Sequence, residues 1–223
     1  MQYEIEIKAL LGSQSASDAL MNQVAERDPG LKLISEQRQL NHYFNGGELS
    51  KLVKTLQRYL SQEQIIAINN ISTSATHINV RTRQKNDTVL LIVKGSLDNT
   101  SAAHSHQRME FEAEIRLTID ELDDLVLSSG WRLEAKWQAK RKIYTALGLT
   151  IDLMFSPGYG YVVEFEKVVL NESDRTAAHD QVMAVMESLG IQELPNDRLE
   201  RMFAYYNEHW PEYYGTDKIF TIE

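Results

Sequence analysis

Residues 3–8 read Tyr3-Glu4-Ile5-Glu6-Ile7-Lys8. A β-strand sends successive side chains to opposite faces. Glu4, Glu6 and Lys8 therefore share one face, and Ile5 and Ile7 share the other. The apolar face calls for a core. The second face lines up two carboxylates and an ammonium group, a set suited to a metal ion and the phosphates it carries. Taken alone, it is better explained as a wet strand surface, so the decision rests on whether the pattern returns.

It returns in strand after strand. Arg81, Arg83 and Lys85 share a parity. Leu90, Ile92 and Lys94 share another. Arg108, Glu110, Glu112, Glu114 and Arg116 oppose Met109, Phe111, Ala113 and Ile115. Lys136, Gln138, Lys140 and Lys142 oppose Trp137, Ala139 and Ile143, and Glu164 and Glu166 oppose Val163 and Phe165. Between these strands the spacing predicts helices over 13–28, 48–60, 118–130, 173–189 and 198–209. Residues 62–75 read as a loop because of the polar Asn69-Asn70 and Ser72 to Thr76 runs. Short turns such as Lys85-Asn86-Asp87 and Leu147-Gly148 predict antiparallel pairing.

Composition narrows the function. The 223 residues are 43% hydrophobic and 25% charged, ordinary for a globular chain, with a net charge of −9. Duplex nucleic acid is not the expected partner, since its binding needs a basic face that releases counterions. The absence of cysteine excludes disulfide scaffolds, cysteine-ligated zinc and thiol nucleophiles. No run approaches the roughly 18 apolar residues of a membrane span, and no basic-then-apolar leader is visible, so a cytoplasmic location is expected.

An antiparallel sheet commonly has one apolar and one wet face. Here the helices also carry apolar stripes that need covering. The expected fold is α+β: a closed eight-stranded antiparallel β-barrel with helices packed outside and the charged faces lining its lumen. Such an interior requires both signs of charge and a ligand or water to solvate them. Arg and Lys suit phosphate oxygens, and carboxylates suit a hard divalent cation.

The motifs resemble the CYTH superfamily, also called triphosphate tunnel metalloenzymes. Glu4-Ile5-Glu6-Ile7-Lys8 resembles its opening Glu-x-Glu-x-Lys strand, and Tyr43-Phe44-Asn45 resembles its Tyr-Phe-Asp segment. Arg81-Thr82-Arg83, Lys94-Gly95 and Arg108-Met109-Glu110-Phe111-Glu112 follow in the family's order. So do Lys140-Arg141-Lys142-Ile143-Tyr144, Asp152, Gly158-Tyr159-Gly160 and Glu164-Phe165-Glu166.

The resemblance implies a triphosphate tunnel over residues 1–195, with 46–76 as an insertion-like segment and 196–223 as a C-terminal helical appendage. It implies metal ligation by Glu4, Glu6, Glu112, Asp152, Glu164 and Glu166, with Mg2+ or Mn2+ as the ion. It implies a phosphate cradle of Lys8, Arg81, Arg83, Lys94, Arg108, Lys140 and Arg141, and water attack assisted by Tyr43 with Lys94. Hydrolysis of inorganic triphosphate is the leading expectation. Class IV adenylyl cyclase activity on ATP, thiamine triphosphate hydrolysis, and non-catalytic polyphosphate or nucleotide binding are the alternatives. The implied partner is a small triphosphate-containing molecule, with no duplex nucleic acid and no membrane, and a homodimer is allowed.

The chain departs from the family at three points. Asn41 and Asn45 stand where acidic residues are common in the Tyr-Phe-Asp segment. Lys140 and Arg141 are adjacent, so strict alternation aims only one of them at the charged face. Residues 46–76 are longer than a hairpin connection needs. Elsewhere, His104-Ser105-His106 reads as solvent-exposed, and Met202, Phe203, Tyr206 and Trp210 read as a packing face of the last helix.

Overall fold

The computed structural model describes residues 3–96 and 108–220, with backbone only at Arg108. The His104-Ser105-His106 pair therefore lies outside the described residues. The chain forms two compact units: residues 1–38 with 138–223, and residues 39–137. Two long strands, β2 (Lys32–Asn45) and β6 (Arg132–Ala146), each contribute to both units.

The first unit contains β1 (Tyr3–Gly12), β7 (Leu149–Ser156) and β8 (Gly160–Val169), together with α1 (Gln14–Arg27), α5 (Arg175–Ser188) and α6 (Asn196–Tyr213). The second contains α2 (Leu49–Leu56), α3 (Gln62–Ser74), β3 (His77–Lys85), β4 (Thr88–Ser96), β5 (Arg108–Glu114) and α4 (Ile119–Ser128). Strand order is β1-β8-β7-β6-β2-β3-β4-β5. β1 and β5 are the two ends of this order, and no ladder joins them among the described residues. The sheet is eight-stranded with outside helices, but it is open, which corrects the expected closed barrel. Closure requires every strand to pair on both sides with a matched stagger. Alternation along single strands is the same in an open sheet, so the sequence pattern could not separate the two.

In the first unit the pairing runs Ile7 to Phe165 to Ile151 across β1, β8 and β7. These three residues, with Leu20 and Val24 of α1 and Val182 and Met186 of α5, form one buried core. The alternation read in Glu4 to Lys8 is thus an apolar face packed under two helices and a charged face turned away from them. In the second unit the corresponding core is Phe44, Val80, Leu91, Val93 and Phe111, covered by Leu52 and Leu56, Ile68 and Ile71, and Leu122 and Val126 of its three helices.

Residues 62–74 are helical, not a loop. Ser61 and Gln64 make a complete capping box: the Ser61 hydroxyl accepts from the Gln64 backbone N–H, and the Gln64 side chain accepts from the Ser61 N–H. Ile68 and Ile71 then sit fully buried, and the Asn69-Asn70 pair lies on the exposed side. The cap was legible in Ser61-x-x-Gln64, but the polar cluster outweighed it.

The C-terminal helix packs within the first unit through Met202, Tyr206 and Tyr213. The chain beyond it returns to the β7–β8 turn, where Gly158 N–H donates to Lys218 O and Phe220 N–H donates to Gly158 O, each at 2.8 Å. Gly158 has φ of +85°, and a Cβ there would stand 2.6 Å from Phe220 and 2.7 Å from Tyr206. Glycine is what lets the backbone come this close.

Candidate functional site

Strand register decides which charges meet in the first unit. Lys8 pairs with Glu164 and Glu164 with Asp152, while Glu6 pairs with Glu166. These side chains share the face opposite Ile7 and Phe165. Lys8 Nζ contacts Glu6 and lies 2.9 Å from Glu164 Oε1. Arg141 reaches the same place from β6, donating to Asp152 Oδ2 and, at 3.2 Å, to Glu164 Oε2. Of the adjacent pair Lys140–Arg141, it is Arg141 that joins the carboxylates. The Lys140 side chain is 64% exposed and lies 4.0 Å from Asp217.

The carboxylates are crowded. Burial first, then the Glu4 charge and a hydrogen bond to Glu4, push the Glu166 carboxyl above its ordinary range, with Asp152 and Glu164 adding to the effect. Burial likewise pushes Asp152 up, although Arg141 opposes it. Burial works against the Arg141 charge, but the hydrogen bond to Asp152 and the surrounding carboxylates outweigh it and hold the guanidinium firmly charged. Asp152 Oδ1 is buried with no hydrogen-bond partner. An oxygen so placed carries a desolvation cost that a ligand would offset.

The second unit concentrates the other sign. Three successive cross-strand pairs join β2 to β3: Asn41 with Arg83, His42 with Thr82, and Tyr43 with Arg81. The outer pairs share a face. Arg83 Nε donates to Asn41 Oδ1 at 2.6 Å, and the Arg81 guanidinium lies over the Tyr43 ring, 4.1 Å from its centroid. Burial, and next the Arg81 charge, push Arg83 below its ordinary value, which Tyr43, Glu112 and Glu110 partly offset. Arg81 Nε and Asn79 Oδ1 are buried without hydrogen-bond partners. Lys94, opposite Asn79 in the register, pairs with Glu110 at 3.1 Å.

The expected residues thus fall into two groups. Glu4, Glu6, Lys8, Arg141, Asp152, Glu164 and Glu166 lie in the first unit. Tyr43, Arg81, Arg83, Lys94 and Glu112 lie in the second, as does the Arg108 backbone. Glu112, expected beside the carboxylates, belongs to the unit that holds Arg81 and Arg83, and its charge acts on Arg83. Sequence reasoning missed Asn79, whose shared parity with Arg81 and Arg83 was the available signal. It also passed over Asn41 as a departure, although its amide oxygen holds Arg83.

The CYTH domain profile matches residues 2–198. The chain belongs to the CYTH domain family. Solved structures agree on the fold. A conserved hypothetical protein from Pyrococcus furiosus is 18% identical with a TM-score of 0.53, covering 85% of this chain and 92% of its own. A candidate adenylate cyclase from Vibrio parahaemolyticus is 15% identical with a TM-score of 0.54, covering 91% and 98%. The PH1012 protein of Pyrococcus horikoshii is 17% identical with a TM-score of 0.52, covering 85% and 92%. A search of the curated proteins gives no match.

CYTH chemistry acts on phosphate substrates, typically with divalent metals. The first unit fits such an ion in donor chemistry: hard carboxylate oxygens, crowded like charges, and an orphaned Asp152 oxygen. As the side chains stand, Lys8 and Arg141 occupy carboxylate oxygens, and no three His, Asp or Glu groups converge as a metal cluster among the described residues. No helix among those residues is long and apolar enough to cross a membrane.

Proposed function

We propose that this CYTH protein is a divalent-metal-dependent triphosphatase, with inorganic triphosphate as its preferred substrate. The observation that carries this reading is the Arg81–Arg83 row. Two partly buried guanidiniums share one strand face: burial, and next the Arg81 charge, push Arg83 down, and Arg81 keeps a buried N–H without a partner. A polyanion with many equivalent oxygens relieves that arrangement.

Arg81, Arg83, Lys94 and Arg108 bind phosphate oxygens in this reading, as do Lys8 and Arg141. Glu4, Glu6, Asp152, Glu164 and Glu166 are the residues that would hold Mg2+ or Mn2+, with Glu112 acting on the arginines. The ion would supply neutralisation of phosphate charge, and the chain supplies positioning, which is the larger demand in phosphoryl transfer. Arg81, stacked on Tyr43, fixes the direction of that ring. Tyr43 and Lys94 are the groups assigned to orienting the attacking water.

A nucleotide substrate is the second reading, because the orphaned Asn79 Oδ1 is an acceptor beside Lys94. A sugar hydroxyl would donate to it, whereas a bare triphosphate offers no comparable donor. The test is to incubate the purified protein with Mg2+ or Mn2+ and, in parallel, tripolyphosphate, ATP or thiamine triphosphate. Orthophosphate, pyrophosphate and cyclic AMP are then measured. Orthophosphate released fastest from tripolyphosphate is expected. Pyrophosphate with cyclic AMP from ATP would replace the reading with the cyclase, and binding without product would reduce it to a sensor.

A further inference from the structure

A buried polar cluster lies in the second unit, on the side of the β2–β3 pair away from the arginines. Asp123 of α4 is 5% exposed, Thr82 is fully buried and His42 is 1% exposed. Asp123 Oδ1 accepts from the Thr82 hydroxyl at 2.6 Å, and Asp123 Oδ2 lies 2.7 Å from His42 Nδ1. Lys136 Nζ lies 3.6 Å from the same Oδ2.

Thr82 and His42 are not arbitrary strand positions. They face each other as the middle of three cross-strand pairs, and the outer two are Asn41–Arg83 and Tyr43–Arg81. One helix carboxylate therefore grips both strands at one rung, from behind, while the rungs on either side present guanidiniums to the opposite face. A slip of one residue would turn Arg81 and Arg83 into the core and bring Thr82 out. Arg81 and Arg83 are like charges two residues apart on one face of β3, and after burial the Arg81 charge is part of what pushes Arg83 down. Asp123 itself is placed by the helix start, where Thr118 and Glu121 form a complete capping box. An apolar residue would fill the space behind the sheet equally well. A carboxylate that accepts from both strands adds direction, which apolar packing does not.

We infer that Asp123, acting through Thr82 and His42, is a positioning residue for the Arg81 and Arg83 guanidiniums. The inference rests on the proposed phosphate-binding role of those arginines, and the test separates the two. Thr82→Val keeps the branched shape and strand preference and puts a methyl group in place of the hydroxyl that donates to Asp123, whereas Thr82→Ser keeps the hydroxyl. Two readouts are taken on folded protein, well below each variant's melting temperature. One is KM and kcat for tripolyphosphate. The other is the Nε–Hε resonances of Arg81 and Arg83, identified with Arg81→Lys and Arg83→Lys.

Thr82→Val is expected to raise KM about tenfold with kcat within about twofold, and to shift and broaden the Arg83 resonance as its bond to Asn41 loosens. Thr82→Ser is expected to match the wild type in both, and Asp123→Asn to disturb the Arg81 and Arg83 resonances more than Thr82→Val does. Unchanged arginine resonances in Thr82→Val would overturn the inference whatever the substrate. A wild type that neither binds nor hydrolyses tripolyphosphate would overturn the proposed function instead, leaving the resonances to decide the positioning role.

Discussion

The two units treat charge in opposite ways. In the first, carboxylates outnumber the cations that reach them: burial and Glu4 push Glu166 up, and Asp152 keeps a buried oxygen without a donor. In the second, burial and Arg81 push Arg83 down, and Arg81 keeps a buried N–H without an acceptor. The backing is alike in both: an apolar strand face under helices, Phe165 in one unit and Phe111 in the other. The lesson is that a charged face backed by an apolar core keeps an unmet buried polar atom of its own in each unit, an acceptor at Asp152 and a donor at Arg81.

The comparison breaks most severely if the common backing is removed. Phe165→Ala should destabilise the protein by about 3–5 kcal/mol, because a fully buried ring between Glu164 and Glu166 is lost and a cavity remains. Denaturant unfolding measures this. A loss under 1 kcal/mol would mean that the charged strand stands without its core.

Glu164→Gln tests the acidic side. It should lower metal-dependent phosphate release by on the order of 100-fold while leaving the fold intact, since among the described residues Glu164 ion-pairs with Lys8 and Arg141 on the charged face and not with the core. Full activity in this variant would remove Glu164 from the site.

Arg81→Lys tests the basic side. Lysine keeps the charge but loses the planar stack on Tyr43 and the fork of N–H donors. KM for tripolyphosphate should rise about tenfold. An unchanged KM would show that charge alone suffices at this position.

The smallest effect should come from a carboxylate that is already satisfied. Asp28 accepts from the Leu147 N–H at 2.6 Å and the Gly30 N–H at 2.8 Å, and these bonds hold its carboxyl below the ordinary value. Its stabilising contribution is therefore present above the ordinary carboxylate range and fades as pH falls through the lowered value. Asp28→Asn should lower the melting temperature slightly at neutral pH and not at all in strong acid. Within one unit, Asp28 moves down because backbone amides meet it, whereas burial and then the Glu4 carboxylate move Glu166 up.

Much of each group was legible one strand at a time. Glu4-x-Glu6-x-Lys8, Arg81-x-Arg83 and Glu164-x-Glu166 show their shared faces without any structure, since a strand's period of two is a local property. The Ser61–Gln64 cap was equally local, yet the asparagines beside it hid the helix. The roles of Asn41, Asn79 and Asp123 were not legible, because each depends on a neighbour supplied by another element.

Alternation, and with it which residues are charged and which are backing, was already fixed along each strand before any strand met another. Covalent geometry forces that choice residue by residue. Folding of distant segments onto one another set the rest: no ladder joins β1 to β5 among the described residues, Arg141 and not Lys140 meets Asp152, and Arg81 and Arg83 belong to a different unit from Glu4, Glu6, Glu164 and Glu166. Those outcomes depend on strand order and register. Both are set by hydrogen bonds and packing between segments far apart in the chain, and alternation within a strand carries no record of which strand lies beside it.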